Sequence, residues 1–395
     1  MSDEQPPGAR GVATRVAALR LLDAVLRRGQ RLDAALEPAT RELTLPEDRA
    51  HALAIASEAL RWLPDLDRLI DSATAQPLPL DAKARAVLRL ALVQALRMAT
   101  PRHAAIATAL PLVTGGPRRL VHGVYGTLLR RGAALPDAPS LPAPVAARWG
   151  PAWGYSALAD AARALTTAPP LSLSHKDGRT TPLAGRLADD PAFATGDAWV
   201  QNPAAALPAR LLGDGNGRAV LDLCAAPGGK TLQLAAAGWR VTALDVQPRR
   251  LERLRANLAR TRLTAEVVLA DLLVWEPAAP VDAILLDAPC TATGTFARHP
   301  DVLHRIGAKD VAALAALQAR MLDRALGWLA PGGRLVLATC SLEREEGEAL
   351  VEGRALDPVT EPLPDWARRN DYGSVRVLPR PGVDGFFIAR LRAPA

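Results

Sequence analysis

The chain has 395 residues, 49% of them hydrophobic and 23% charged, a balance that excludes an intrinsically disordered protein and suggests two or three globular domains. No apolar run approaches the ~18 residues of a membrane-spanning helix, and the polar, acidic, proline-bearing start Met1–Pro7 does not read as a secretory leader. The formal net charge of +7 suits a polyanionic partner, yet lysine occurs only as Lys83, Lys176, Lys230 and Lys309, and such an arginine–alanine bias also follows from base composition alone. Three cysteines cannot all pair, and a chain this long buries enough core without covalent staples. Free thiols fit the reducing cytoplasm. No metal site is expected.

Residues 1–10 are expected to be a flexible N-terminus, and 11–135 read as helices throughout. Val12, Val16, Leu19, Leu22 and Leu26 recur at helical spacing, with Arg15, Arg20, Arg27 and Arg28 at the other positions, and Gly29 supplies a stop. Further helical patterns run over 50–63, 82–98 and 120–130, punctuated by Pro64, Pro77, Pro79 and Pro101. With no period-2 alternation of any length, this is an all-α bundle. Arg118, Arg119, Arg130 and Arg131 read first as the solvated side of a helix and second as a basic face.

Residues 136–200 combine a proline-rich linker, its prolines concentrated over 133–147, with a short insert. That insert has one helical stretch over 155–165 and one strand candidate over 171–174. From 201 to 395 the pattern changes to strands alternating with helices. Strand candidates are 219–223, 240–244, 265–269, 281–286, 334–338 and 385–391, with helices over 230–237, 248–261 and 310–329. This alternation predicts a mostly parallel sheet with helices on both faces.

In such a sheet ligands bind beyond the carboxyl ends of the strands. Cys224, Cys290 and Cys340 all stand just past strand candidates, as do Asp245, Asp271 and Asp287. For a lone cysteine, a buried small hydrophobe is the ordinary reading, and for a lone aspartate a turn or helix cap. Asp287 and the Thr339 and Ser341 flanks of Cys340 weigh against it here. The segment Cys224-Ala225-Ala226-Pro227-Gly228-Gly229-Lys230 runs from a strand into a helix start, where small residues allow close approach to a ligand and the helix offers free N–H groups. A phosphate-binding P-loop fails on spacing, since Cys224 stands where its first glycine belongs.

Cys224-Ala-Ala-Pro-Gly-Gly-Lys-Thr, Asp287-Ala-Pro-Cys290 and Thr339-Cys340-Ser341 resemble the motifs of the Sun (RsmB-type) family of RNA 5-methylcytosine methyltransferases. The resemblance spans 201–395, ending in Asp384-Gly-Phe-Phe-Ile-Ala-Arg390; Arg298-His299-Pro300-Asp301 is a further feature of the RsmB branch, and the helical unit looks like its NusB-type RNA-binding domain. It implies a NusB-like all-α domain followed by an α/β Rossmann-like class I methyltransferase domain. It further implies S-adenosylmethionine as cofactor and RNA as partner, with small-subunit rRNA favoured. By matching position, Cys224 to Lys230 would contact the methionine and ribose parts of the cofactor, Asp245 the ribose and Asp271 the adenine edge. Asp287 would stand between cofactor and base, supplying a proton at N3. Cys340 matches the nucleophile and Cys290 the cysteine that releases product; the choice between the two rests on the resemblance. The insert looks shorter than the family's, and Asn202 stands where an acid is expected. Methylation of tRNA is the nearest alternative, and a non-catalytic assembly factor the alternative of another class. An amino-group methyltransferase is set aside because Asp-Ala-Pro-Cys replaces its Pro-Pro-aromatic motif. Oligomeric state stays open, with a monomer favoured.

Overall fold

A computed structural model describes residues 7–393, with side chains from residue 11. Its contacts divide the chain into a helical unit, ending at Ala147 but including Arg298–Arg305, and a second unit of Arg148–Ala297 with the remainder from Ile306. The helical unit opens with α1 (Pro7–Leu26), α2 (Leu32–Thr40), α3 (Pro46–Arg61), α4 (Leu63–Ser72), α5 (Lys83–Leu96), α6 (Arg102–Ala109) and α7 (Gly115–Arg130). Next come α8 (Ala143–Leu165), β1 (Ser172–His175), β2 (Thr180–Pro182), α9 (Pro191–Thr195), β3 (Ala198–Val200) and α10 (Pro203–Arg210). The alternating region holds β4 (Ala219–Leu223), α11 (Gly229–Ala236), β5 (Arg240–Asp245), α12 (Pro248–Thr261), β6 (Glu266–Leu269), β7 (Val281–Asp287), α13 (Val302–Arg305), α14 (Ala308–Leu326) and β8 (Leu329–Thr339). The chain ends with α15 (Glu348–Val351), β9 (Ala367–Arg369), β10 (Val375–Val377) and β11 (Phe386–Arg392).

Three sequence expectations change. Residues 1–6 lie outside the described residues, but 7–10 are the first turn of α1, led by a proline whose missing N–H costs nothing there. The linker stops at Pro142, because Pro144 again sits in a first helical turn. The insert is more than a helix and a strand: α8 is kinked at Gly154 (φ 81°), and β2-β1-β3 form an antiparallel sheet.

The helical unit is built around α5, buried from Ala84 to Gln94 on every side. An all-round buried helix must pair its charges. Arg89 does so in a two-bond fork with Asp67 (2.8 Å each), and Arg85 with Asp71 and the Leu78 carbonyl. Arg15, read from its spacing as a solvated position, is instead buried and donates to Gln94 Oε1 at 2.9 Å. The segment Arg298–Arg305 completes this unit. Asp301 accepts from the Leu32 amide (3.4 Å) at the start of α2, whose own N-cap Arg31 makes no side-chain cap. His304 Nε2 donates to the Leu60 carbonyl (2.7 Å) near the end of α3. A carboxylate at one helix start and a donor at another helix end each fill a group that the helix leaves unpaired.

In the second unit the large sheet runs β6-β5-β4-β7-β8-β11-β10-β9. The strands from β6 to β8 are parallel, and β11, β10 and β9 follow antiparallel. Alternate residues of the central strands feed two cores. Val220, Leu285, Val336 and Ile388 meet the helices α10, α11 and α12 on one face. Leu221, Ile284, Leu335 and Phe387 meet α14 on the other. Right-handed crossovers that step one way from β4 and the other way from β7 require that division of helices. Beyond β7, Gly294 donates to the Cys340 carbonyl (2.9 Å), and its own carbonyl accepts from Gly385 (2.8 Å).

Two outcomes follow. Burial holds the partly buried His304 at a pKa of about 4, so the unfolded chain takes up a proton that the folded one refuses. Stability is therefore lost as pH falls from the ordinary histidine value of about 6.5 toward about 4, by up to about 1.4 kcal/mol per pH unit. Urea unfolding at pH 7 and 5 should show a smaller pH loss in His304→Asn than in wild type; equal losses would refute the assignment. Separately, a Cβ on Gly294 would lie 2.2 Å from the Gly385 carbonyl oxygen, whereas one on Gly116 meets nothing within 4 Å. Gly294→Ala should cost roughly 1–3 kcal/mol in urea unfolding, and Gly116→Ala close to nothing.

Candidate active site

The parallel strands end on one edge, and the sheet order reverses between β4 and β7. A crevice opens where strand order reverses in this way. Cys224, with φ 62°, turns the chain off β4, and Gly228, with φ 106°, starts α11. The loop between is held from two sides. Ala225 donates to the Leu244 carbonyl of β5 (3.0 Å). From α12, Arg250 holds the Ala226 carbonyl and Asn257 that of Pro227 (3.0 Å). Gly229 lies against Gln201, which a Cβ would approach to 3.3 Å. Asp245, at the end of β5, is buried and accepts from Ala226 N (3.2 Å) and Gln247 N (2.9 Å). Its fixed carboxylate keeps lone pairs for further donors. Asp271, past β6, is exposed and accepts from Leu273 N (2.9 Å). Both stand across β4 from the strand ends that carry Cys290 and Cys340.

Asp287 ends β7 and accepts from Lys230 Nζ at 2.7 Å, joining the loop to the next strand end. Burial is the largest influence and works against the Lys230 ammonium, but the charge and hydrogen bond of Asp287, with Asp222 and Cys340 nearby, together hold the lysine above its ordinary pKa. The protonated form of Lys230 is thereby favoured beside Asp287, the residue expected to supply a proton at N3. Beneath them Asp222 accepts from Thr231 Oγ1 (2.5 Å); burial, reinforced by the charges of Asp287 and Asp245, pushes its carboxyl up to about 7.

Cys290 and Cys340 face each other with their sulfurs 3.4 Å apart. The hydrogen bond to Cys340, then burial, pushes the Cys290 thiol well above its ordinary value. Either sulfur can donate in this contact. Cys224 packs against the apolar core, and burial raises its thiol to about 12. The small-hydrophobe reading suits that cysteine.

Several residues around the thiols were invisible in the sequence. Glu346, fully buried, accepts from Thr291 N (2.9 Å), Thr291 Oγ1, Ser341 Oγ (2.5 Å) and Gln318 Nε2 (3.0 Å). The same Gln318 amide donates to the Pro289 carbonyl (2.8 Å). Past Cys340, Glu343 accepts from Arg148 (3.0 and 3.2 Å) and Trp149 Nε1 (3.0 Å), and the Leu342 carbonyl accepts from Trp153 (2.9 Å). Arg376 donates to the Ser341 carbonyl (2.6 Å) and pairs with Glu348. A run of acids around one arginine, Glu343-Arg-Glu-Glu346, gives no sign of which members turn inward. Asn202 has its own explanation. Its Oδ1 caps α10 at Ala204 N (3.0 Å), and its Nδ2 donates to the Gly382 carbonyl (3.2 Å), a bond that no ionised acid could make.

Residues 209–392 match the family described as 16S rRNA methyltransferase RsmB/F, and residues 12–117 match the NusB family. Ribosomal RNA small subunit methyltransferase B of Xanthomonas campestris is 35% identical over 97% of this chain and 98% of its own length. The protein of that name from Thermus thermophilus is 35% identical over 92% and 94%. The solved structure of PH0851 matches with a TM-score of 0.70 at 21% identity, covering 98% of this chain and 99% of that one, a likeness that bears on fold alone. The chain belongs to the RsmB/F family of 16S rRNA methyltransferases, with a NusB-family helical domain and a Rossmann-like methyltransferase domain.

Proposed function

We propose that this protein methylates C5 of a cytosine in small-subunit rRNA in the cytoplasm, through a covalent bond between Cys340 and C6 of the base. The observation that carries the reading is the pair of sulfurs 3.4 Å apart beside the Lys230–Asp287 ion pair at the adjoining strand end. C5 of cytosine is a poor carbon nucleophile, and addition of a thiolate at C6 turns it into an enamine-like one. Cys340 suits that addition because the Cys290 thiol, 3.4 Å away, can donate to it. The charge that develops at N3 needs a proton or a cation. Lys230 holds such a proton, and Asp287 fixes the amine that carries it.

The strand-end residues fit S-adenosylmethionine by their chemistry. Asp245 is a fixed carboxylate suited to the ribose hydroxyls, Asp271 is an exposed acceptor suited to the adenine amine, and Cys224 to Gly229 form a small-residue turn ending at a helix start. When bound, the cofactor supplies an electrophilic methyl group on a sulfonium. After methylation C5 carries one proton too many. Cys290, as thiolate once its own proton has gone to solvent or base, would remove it so that Cys340 can leave. The target base must also be out of any stack to reach the thiols. RNA is the partner, supported by the NusB-family match and the relatives' names.

The test is methyl transfer from radiolabelled S-adenosylmethionine to unmodified small-subunit rRNA. Wild type should label cytosine C5, and Cys340→Ala should give no label. Cys290→Ala should lose at least about 10²-fold in turnover and accumulate a protein–RNA adduct on denaturing gels. Label in tRNA alone would move the substrate and keep the chemistry. Absence of both transfer and cofactor binding would favour an assembly factor.

A further inference from the structure

We propose that Glu346 is a positioning residue that sets the separation of the two thiols by holding the residues on either side of them with one carboxylate. Residue 291 follows Cys290 directly, and both its amide and its hydroxyl donate to Glu346. Residue 341 follows Cys340 directly, and its hydroxyl donates to the same carboxylate at 2.5 Å. Residue 289 precedes Cys290, and its carbonyl is held by Gln318, whose amide also donates to Glu346. The Thr339 hydroxyl, just before Cys340, donates to the Glu346 backbone carbonyl (2.8 Å). All four neighbours of the two cysteines thus refer to one residue.

A carboxylate fully out of water is retained only where its lone pairs are used. Neither strand nor long helix requires one here, since Glu346 ends a single helical turn, Arg344–Glu346. Its one geometric consequence is to join two loops that leave different strands, β7 and β8. Backbone pairing of β7 with β8 ends at Asp287 and Ala338 in register, with one further bond from Ala288 to the Ala338 carbonyl. Beyond that point the loops are joined by Glu346, by the Gly294 amide on the Cys340 carbonyl, by the Thr291 and Thr293 hydroxyls at Ser341 Oγ (3.2 Å each) and by the Leu342 amide on Thr293 Oγ1 (3.0 Å); of these Glu346 alone reaches, directly or through Gln318, the residues on both sides of each cysteine.

The inference rests on the proposed chemistry for its purpose, but its first test does not use methyl transfer. Diamide takes up two electrons and the two thiol hydrogens as Cys290 and Cys340 form a disulfide. The rate is read on the full-length protein by mass spectrometry of the linked peptides, so that Cys224 is not counted. Glu346→Gln keeps the shape, and its amide can face the two hydroxyls, which turn to accept. It should form the disulfide at least threefold more slowly than wild type with a near-wild-type urea midpoint. Glu346→Ala, which leaves the Thr291 amide unpaired, should lose tenfold or more. In methyl transfer both variants should lose kcat by the same order with KM for S-adenosylmethionine unchanged. Disulfide rates equal to wild type in both variants would overturn the proposal, whatever the activity. Slower disulfide formation with no methyl transfer even by wild type would uphold the positioning role and overturn the proposed function instead.

Discussion

Parallel pairing of β7 with β4 on one side and β8 on the other is the constraint from which the site follows. Strands that point the same way must end on the same edge, and each must then find its own exit. The β4 exit turns through Cys224 and Gly228 into α11, the β7 exit runs past Asp287 and Cys290, and the β8 exit passes Cys340. Reversal of strand order between β4 and β7 parts the exits and leaves the space in which Lys230 reaches Asp287. The antiparallel strand β11 then closes β8 on its far side and brings Phe386 under Lys230, 5.6 Å from the amine.

Within that frame, the buried acids and bases around the site each meet a charge or a hydrogen-bond donor. Lys230 and Asp287 compensate each other. Asp222, below them, has one hydroxyl donor and two acidic neighbours, and its carboxyl rises to about 7. Glu346 takes four donors and stays ordered between two loops. The Cys340 flank is treated in the same way: the Ser341 carbonyl meets Arg376, and Glu343 meets Arg148 and Trp149. Such networks restrict the loops more than apolar packing would, because hydrogen bonds are directional. A two-thiol reaction needs that restriction, since a displacement of 1 Å is enough to uncouple reacting groups.

The helical unit shows how far apart in sequence two halves of one capping arrangement can lie. Asp301 and His304 satisfy α2 and α3 from a segment 269 and 244 residues downstream. The Arg-His-Pro-Asp motif, which ends in Asp301, was legible as a motif. The helix start that it serves was not, because the capped amide belongs to Leu32.

Periodicity by itself determined much of this protein. Helix 248–261 and strand 219–223 have the bounds expected from the sequence, because amphipathic spacing and strand-length apolar runs are local properties. The candidate residues Asp245, Asp271, Asp287, Cys224, Cys290 and Cys340 could be placed at strand ends for the same reason. Tertiary structure decided the rest. Arg15 and Glu346 look solvated in sequence and are buried, since burial of a charge depends on partners that spacing does not reveal. Only the fold could bring Cys290 within 3.4 Å of Cys340, fifty residues on, or Lys230 within 2.7 Å of Asp287. Both depend on the order in which strands lie side by side, which hydrogen bonding between distant segments fixes and no local pattern encodes.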